Sequence, residues 1–326
     1  MQFKSNYPRL FIRSKNELAK HISGGQLKKD NALALINDVI SNFDKYWHDS
    51  KESKPEKKKY IRSAFGNNLG RLLDLINKKV LATHDKKLPS FIYGGLSERS
   101  YIDAAKNLFA KKTGRTLIRL DIERFFEQMT EERVFYFFYK KCECSPEIAR
   151  LLANLSCVSI GPKKSPGDKK TIARGFATSS RLAVWCNLDT FQHLFWKINR
   201  KLRNHDPRLS IFVDDIGISA SGIGQKEMED TAVWAEYFLN NFDANQPLPS
   251  NKNKKEIIPF KDNPQHLGLM FGKKKLTMGS KTQSRKDSID KSVKELRKMG
   301  VKNTRLLARQ KGYKNLQKIL AQINKQ

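Results

Sequence analysis

Residues 210–219 have the sequence SIFVDDIGIS, in which two adjacent carboxylates, Asp214 and Asp215, separate two short apolar runs. The runs are rich in β-branched residues, so they predict a β-hairpin with the two aspartates at its tight turn. Carboxylates this close repel each other, and the pKa of one rises unless a cation neutralises them. Divalent metals are the usual solution, and oxygen ligands suit Mg²⁺. An exposed Asp-Asp turn is a common alternative, so this stretch alone leaves metal binding open.

The charge balance of the chain indicates a polyanionic partner. The 326 residues include 63 lysines and arginines against 33 acidic residues, a formal net charge of +30. Nucleic acid and an anionic membrane surface are the two candidates. The sequence contains no apolar run long enough for a spanning helix, and Met1–Pro8 lack the apolar centre of a signal peptide. We therefore expect a cytoplasmic protein with no membrane partner, whose four cysteines are free thiols.

A second acidic position follows another apolar segment. Residues 116–122, TLIRLDI, predict a strand that ends near Asp121. If this strand lies beside the hairpin, three carboxylates converge on one sheet edge. Such a set can hold two Mg²⁺ ions about 3.5–4 Å apart, as two-metal phosphoryl transfer requires. A basic channel would then hold the polyanion, and the acidic patch would recruit the metals that act on it.

Two further features lie at spacings suited to a nucleotide pocket. Phe126 follows Asp121 by five residues, where its ring can lie under the sugar of a nucleotide and collide with a 2′-hydroxyl. The alternative is that Phe125 and Phe126 are both core residues. Gly175 permits close backbone approach, and Thr178 or Ser179 can cap a helix predicted over 178–198. Helix N-termini bind phosphate.

Helical patterns flank these segments. Ser14 with Glu17 predicts a capping box, and Asp30 predicts the cap of a helix that runs to Trp47. Residues 271–326 carry 17 lysines or arginines against 3 acidic residues, a net charge of +14. Their alternation of Leu or Ile with Lys or Arg predicts amphipathic helices with a cationic face. A solvated surface is the alternative, but the one-signed charge favours phosphate binding.

The ordered set of these motifs resembles the reverse transcriptases. Asp121 with Phe125 and Phe126 is similar to motif A, and Gly175 with Thr178, Ser179 and Asn187 is similar to motif B. Phe212-Val213-Asp214-Asp215 is similar to motif C, and the gaps of 54 and 39 residues suit a compact enzyme. Residues 93–105, Lys254-Lys255 and His266-Leu267-Gly268-Leu269 extend the resemblance, which covers roughly residues 55–326. The length is closest to retron-type and phage-defence reverse transcriptases, relatives of the group II intron enzymes.

The resemblance implies an α+β fold of the right-hand polymerase type, with a helical N-terminal extension at 1–50 and fingers at 51–115. The palm would comprise 116–149 and 175–270, joined through a fingers–palm connection at 150–174, and the basic helical thumb would be 271–326. It implies RNA-directed DNA synthesis with two Mg²⁺ ions, for which Mn²⁺ substitutes. The implied partners are a structured non-coding RNA template, the DNA product, dNTPs and an accessory effector protein, and the implied role is antiviral defence.

The resemblance also assigns residues. Asp121, Asp214 and Asp215 would be the catalytic acids, with Ile122 as a further metal-binding position. The nucleotide-binding positions would be Phe126 (the sugar gate), Arg174, Gly175, Thr178, Ser179, Lys255 (with Lys254 as its rival), Lys59 and Arg62. The nucleic-acid-binding positions would be Arg71, Lys273, Lys274, Lys275, Arg285, Lys286, Arg297, Lys298, Arg305 and Arg309.

The sequence also departs from the family. Phe212 lacks the hydroxyl of a tyrosine, Val213 stands where alanine is usual, and the prolines and glutamine of motif B are absent. Lys59-Tyr60-Ile61-Arg62 matches the fingers motif only in part. Two alternatives therefore stay open: a template-independent polymerase on the same fold, and a non-catalytic RNA-binding protein on a degenerate palm.

Overall fold

The structure is a computed structural model that describes residues 6–25 and 27–325. Residues 1–5 and 26 of the predicted N-terminal extension lie outside this range, as does Gln326. Within the described part of the chain, no helix combines the length and the apolar character needed to cross a membrane.

Helices and short strands alternate along the chain. The helices are α1 (Lys15–Ile22), α2 (Lys29–Asn42), α3 (Asn68–Leu75), α4 (Tyr101–Phe109), α5 (Phe125–Gln128), α6 (Glu131–Tyr136), α7 (Pro146–Ser156), α8 (Ser179–Trp185), α9 (Leu188–Lys201), α10 (Gln225–Asn241), α11 (Ser280–Lys298) and α12 (Thr304–Ile323). π-Helical segments at Ile76–Leu81 and Phe137–Lys141 extend α3 and α6. The strands are β1 (His48–Asp49), β2 (Arg62–Ser63), β3 (Arg115–Asp121), β4 (Cys157–Ser159), β5 (Lys170–Ile172), β6 (Arg208–Phe212), β7 (Asp215–Ser221), β8 (Glu256–Pro259), β9 (Gln265–His266), β10 (Leu269–Phe271) and β11 (Leu276–Met278).

The four-stranded sheet at the centre has the order β6-β7-β3-β8, and every neighbouring pair is antiparallel. This arrangement of helices around an antiparallel sheet confirms the predicted α+β class. The predicted hairpin is confirmed too, since Phe212 pairs with Asp215 across a two-residue turn. The strand predicted over 116–122 is β3, which begins and ends one residue earlier.

The two faces of this sheet pack against different partners because side chains alternate along a strand. Ile118, Ile216 and Ile218 share one face, are fully buried and belong to the larger of two apolar cores, together with residues of α9 and α10. On the other face, Gly217 lies so close to Leu108 of α4 and His266 of β9 that a Cβ would clash with both. The second core, which includes Leu117, fills this side.

Three local predictions differ from the structure. Ser14 caps α1, but Glu17 accepts from the backbone N–H of Arg13 at 2.5 Å and does not complete a capping box with Ser14. Helix α2 begins before Asp30, at Lys29, and has no side-chain cap. The helix predicted over 178–198 is wrong as a single element because it breaks at Asn187. That side chain donates to the Ala183 carbonyl at 2.6 Å, a local bond that competes with helix continuation.

The C-terminal helices α11 and α12 pack against each other and on the strands β9, β10 and β11. Leu316 and Leu320 of α12 enter the second core beside Phe271 and Leu276. The predicted amphipathic helices are therefore confirmed, and most of their charged residues are exposed. The four cysteines are free thiols, as expected, and three of them are buried.

Candidate active site

Strands β3 and β7 bring Asp121 and Asp215 together. The two residues are direct cross-strand partners at one end of the sheet. The next pair is hydrogen-bonded, since the Ile122 N–H donates to the Asp214 carbonyl at 2.9 Å. Asp121 and Asp215 are therefore a non-hydrogen-bonded pair, the type with Cα atoms only about 4.5 Å apart and with side chains on the same face. The convergence expected from the sequence is present in the backbone register.

Asp214 occupies the tight turn with Val213. The backbone of Val213 has a φ of 62°, a region that β-branched residues rarely adopt. Gly94 packs directly beneath this turn, where a Cβ would lie 2.3 Å from the Val213 nitrogen. The adjacent segment also hydrogen-bonds to β6, because the Tyr93 N–H donates to the Ile211 carbonyl at 2.8 Å. The strained turn is thus held from below by backbone contacts that only glycine at position 94 permits.

Burial and mutual repulsion change the acidity of the paired aspartates. Burial raises the pKa of Asp214, and the nearby charge of Asp121 raises it further. Burial and then the charges of Asp214 and Asp121 raise the pKa of Asp215 from 3.8 to about 6. The raised pKa values of Asp214 and Asp215 mean that these two carboxyl groups resist joint ionisation beside Asp121, and a bound cation would stabilise their ionised forms.

One of two adjacent lysines supplies a cation to this group. The Lys254 ammonium lies 2.6 Å from Asp121 Oδ1. The Lys255 ammonium instead lies 2.7 Å from Glu236 Oε2 on α10. The structure therefore brings Lys254, the rival position in the sequence analysis, to the aspartates, and it directs Lys255 away from them.

The donor chemistry of this cluster fits a hard divalent cation. Its oxygen-only carboxylate ligands are those that Mg²⁺ prefers. Within residues 6–25 and 27–325, no three His, Cys, Asp or Glu side chains are already arranged as a metal-binding group. Lys254 occupies Oδ1 of Asp121, so a metal ion would bind the other carboxylate oxygen or displace this ammonium. The side chain of Ile122 is buried, and its backbone N–H joins the Asp214 turn.

Phe126 lies under a guanidinium group. Phe125 is fully buried and Phe126 is 8% exposed, so both rings contact the core. Arg174 covers the outer face of Phe126, with its Cζ 4.7 Å from the ring centroid. Glu127 holds Arg174 through an ion pair of 3.2 Å. Phe126, Arg174 and Glu127 form a layered wall, which we call the gate.

The remaining motif B positions have mainly structural contacts. Gly175 has a φ of +105°, and a Cβ there would lie 2.4 Å from the Arg62 carbonyl, so glycine is required. Thr178 and Ser179 are buried, and neither side chain caps α8. Ser179 donates to the Ala173 carbonyl at 2.6 Å instead. The capping predicted for Thr178 or Ser179 is therefore wrong, because the Ser179 hydroxyl binds the Ala173 carbonyl and the Thr178 hydroxyl makes no hydrogen bond within the described residues.

The fingers candidates separate into one residue near the aspartates and two elsewhere. The side chain of Lys59 reaches solvent, but loss of part of its hydration and then repulsion from Arg174 lower its pKa, while attraction from Asp214 opposes this change. Arg62 is buried, ion-paired with Asp49, and donates to the carbonyls of Ser159 and Gly161. Its guanidinium is thus used inside the fold. Arg71 is exposed on α3.

The C-terminal cations lie on the surface. Lys286 is ion-paired with Asp290 at 2.8 Å, a contact within α11. The exposed positions are Lys273, Lys274, Lys275, Arg285, Arg297, Lys298, Arg305 and Arg309. Exposure leaves these eight side chains available to an external anion.

Three residues with informative positions in the structure have no individual role predicted from the sequence: Gly94, Glu127 and Phe65. Gly94 lies in the segment 93–105 that extends the resemblance, but its contact with Val213 joins segments more than 100 residues apart and has no local sequence signal. Glu127 directly follows Phe126 in the sequence, and this adjacency to a predicted nucleotide-binding residue is the signal that could have indicated a role for it. Phe65 is 94% exposed, an unusual state for a large apolar side chain and one suited to stacking on a base.

No protein-family model matches this chain, and no curated protein is found to match it.

Proposed function

We propose that this protein is an RNA-directed DNA polymerase of the reverse transcriptase type. The observation that carries the proposal is the register of β3 and β7, which pairs Asp121 with Asp215 beside the turn that holds Asp214. Three carboxylates at one sheet end, in a chain of net charge +30, suit metal-assisted chemistry on a polyanion. The order and spacing of the motifs support templated nucleotide transfer over other metal chemistry.

The proposed domains follow the motif order. The central sheet would be the palm, with the aspartates at one end of it. Residues 51–115 and the connection at 150–174 would form the fingers, which carry Lys59. Helices α11 and α12 would form the thumb, whose exposed cations would contact the backbone of the template–product duplex.

Each residue of the site has a proposed task. Asp121, Asp214 and Asp215 would hold two Mg²⁺ ions, or Mn²⁺ in their place. When bound, these ions would supply activation of the primer 3′-hydroxyl and stabilisation of the leaving pyrophosphate. Lys59 and Lys254 supply positive charge near the acids and would meet the triphosphate of an incoming dNTP. Phe126 would exclude a 2′-hydroxyl, with Arg174 restraining its ring.

The proposed template is a structured non-coding RNA, in keeping with the retron-type resemblance. The proposed biological setting is antiviral defence together with an accessory effector protein. Both proposals rest on the resemblance of the ordered motifs at Asp121, Gly175 and Asp214-Asp215 to those of retron-type reverse transcriptases.

The proposal is tested by primer extension with purified protein, Mg²⁺, dNTPs and a primed RNA template. We expect DNA synthesis by the wild type and its loss in the Asp214→Asn, Asp215→Asn double variant, with RNA affinity kept within about threefold. The matched control is Glu229→Gln with Asp230→Asn, an exposed adjacent acidic pair on α10 with the same charge change. Unchanged synthesis by the first variant would reject the catalytic assignment.

Two other outcomes distinguish the alternatives. Extension of a primer without any template, with the same metal dependence, would favour a template-independent polymerase. Tight RNA binding without extension under any metal or primer condition would favour a non-catalytic RNA-binding protein.

A further inference from the structure

A second cationic surface lies at the opposite end of β3 from the aspartates. Five exposed lysines line a cavity of about 320 Å³ there: Lys106, Lys111, Lys112, Lys273 and Lys274. We call them the lysine cluster. The cavity lining contains no acidic residue, and among the residues that the structure describes none of the five lysines forms an ion pair. The first three come from α4 and the loop after it, a segment without a predicted nucleic-acid contact, whereas Lys273 and Lys274 are among the nucleic-acid-binding positions that the resemblance implies.

The backbone that presents these lysines is fixed on both sides of the cavity. The loop at 110–114 is held to the end of β7, where the Ser221 hydroxyl donates to the Thr113 carbonyl at 2.8 Å. On the other side, the Asn324 amide pairs with the backbone of Leu276 through two hydrogen bonds, at 2.8 and 3.0 Å. This pairing holds the end of α12 against the strands that flank Lys273 and Lys274. The backbone that carries the lysines is therefore ordered before a partner binds, which lowers the entropy cost of binding.

The charge of the cluster requires a counter-charge. Five like charges around one small cavity repel one another, and the negative C-terminal end of α12 offsets only part of this repulsion. A phosphate backbone supplies regularly spaced anions and releases its condensed counterions when lysines replace them. An anionic membrane fits less well, because membrane-bound surfaces insert apolar side chains. Neither Phe109 nor Phe260, the aromatic residues of this cavity, is among the exposed large apolar residues of the described chain.

The same lack of exposed aromatic side chains favours a duplex over a single strand. Single-stranded nucleic acid is usually bound by stacking its bases on aromatic rings, whereas double-stranded RNA is recognised through its shape and phosphates. The lysine cluster offers ammonium groups on a fixed backbone and no stacking surface, so it suits double-stranded RNA better than a single strand.

The position of the cluster separates it from the aspartates. Gly114 precedes β3 at the cluster, and Asp121 ends β3 at the acidic site. Seven strand residues span about 20 Å at roughly 3.4 Å per residue. We propose that the lysine cluster is a separate docking surface for the phosphate backbone of a double-stranded RNA segment. Contact there does not require a primer end or a metal, so the inference stands independently of the proposed polymerase activity.

The test compares two full-length variants with the same loss of charge. The cluster variant replaces Lys106, Lys111, Lys112, Lys273 and Lys274 with Ala. The control variant replaces five other exposed lysines, Lys28, Lys29, Lys197, Lys201 and Lys226. The probe is a blunt RNA hairpin of about 20 base pairs, longer than the roughly 16 that a double-stranded RNA-binding domain spans. Its dissociation constant is measured by fluorescence anisotropy between about 50 and 200 mM NaCl.

We expect the cluster variant to lose at least tenfold in affinity at the lowest salt, and its log–log salt slope to fall by about three. The control variant should stay within threefold of the wild type. A third variant with the five cluster lysines changed to Arg should keep the wild-type affinity, and circular dichroism should report the same helix content for all proteins.

An equal loss of hairpin affinity in the cluster and control variants would overturn the proposal, since the loss would then follow from net charge alone. An equal loss on a single-stranded oligonucleotide would overturn the assignment to duplex RNA. Unchanged RNA affinity with lost binding to vesicles containing phosphatidylserine would assign the surface to a membrane instead. The hairpin assay contains no Mg²⁺, no dNTP and no primer, which separates this result from the test of catalysis.

Discussion

The ammonium of Lys254 lies 2.6 Å from Asp121 Oδ1, although these residues are 133 positions apart in the chain. The neighbouring side chain points elsewhere, since Lys255 binds Glu236 at 2.7 Å. The short turn at Lys252–Lys254 produces this division, because the Lys254 N–H is bonded back to the Asn251 carbonyl and the Asn251 N–H donates to the Asp121 carbonyl. The two adjacent lysines therefore have different environments, and we expect their replacement to affect nucleotide addition differently.

If Lys254 also protonates the leaving pyrophosphate, replacing it with Ala should slow nucleotide addition by about 10²-fold, the lower end of what a positioned proton donor contributes. Lys254→Arg should retain the positive charge but transfer a proton poorly at neutral pH, so its rate should also fall. Single-turnover primer extension at saturating dNTP measures the effect. Lys255→Ala is the control, and we expect its rate to stay within about threefold of wild type. Equal rates for Lys254→Ala and wild type would remove Lys254 from the site.

The stability of the metal-free protein should depend on pH through Asp215. Its pKa is about 6 in the folded chain against a reference value of 3.8, because burial and the charges of Asp214 and Asp121 favour the protonated form. This proton stabilises the folded state fully below about pH 3.8, and the contribution is lost as the pH rises through 6. Asp215→Asn should therefore increase the free energy of unfolding by about 2 kcal/mol at pH 7.5 and by much less near pH 4.

Urea unfolding in EDTA at both pH values measures this difference, with the exposed Asp230→Asn as control. In the wild type, added Mg²⁺ should restore stability at pH 7.5 because it binds the ionised carboxylates. A stability gain for Asp215→Asn that is the same at pH 4 and pH 7.5 would contradict the proposed burial effect.

Discrimination between dNTPs and rNTPs should depend on the gate. Phe126→Val removes the ring and should raise the relative kcat/KM for rNTPs by about tenfold or more. Arg174→Lys keeps the charge but loses the planar stacking at 4.7 Å, so it should raise rNTP use by a smaller factor. The measurement is the ratio of kcat/KM values for a matched dNTP and rNTP.

A similar arginine–phenylalanine contact elsewhere provides the control. Arg150 lies 4.2 Å above the ring of Phe135, and Arg150→Lys should leave sugar discrimination unchanged. If Phe126→Val keeps the wild-type preference, the ring is a core residue without a gating role.

Gly94 should be intolerant of a single methyl group. A Cβ at this position would lie 2.3 Å from the Val213 nitrogen and 2.6 Å from the Phe212 carbonyl carbon, both backbone atoms that cannot yield. Gly94→Ala should displace the Val213-Asp214 turn, lower the thermal midpoint by several degrees and reduce primer extension at least tenfold. Gly224→Ala, where nothing lies within 4 Å, should have little effect on either quantity. Wild-type activity in Gly94→Ala would show that the turn tolerates displacement.

The elements that local patterns specify were predicted correctly. An apolar, β-branched run ending in Asp121 predicted β3, and the two runs around Asp214 and Asp215 predicted the β6–β7 hairpin. Side-chain alternation and turn chemistry act over a few residues, so they are readable without the fold. The helix over 178–198 was wrong because Asn187 bonds back to the Ala183 carbonyl, and no periodicity reveals that choice.

The sequence by itself determined the three aspartates, the hairpin between two of them, and the cationic excess of the chain. Only the tertiary structure decided which lysine meets Asp121, that Arg174 covers Phe126, that Arg62 is used inside the fold, and that five lysines gather at the far end of β3. Local preference acts between near neighbours in the chain. The partners of a charged side chain depend instead on which distant segments the packed sheet brings within a few ångströms.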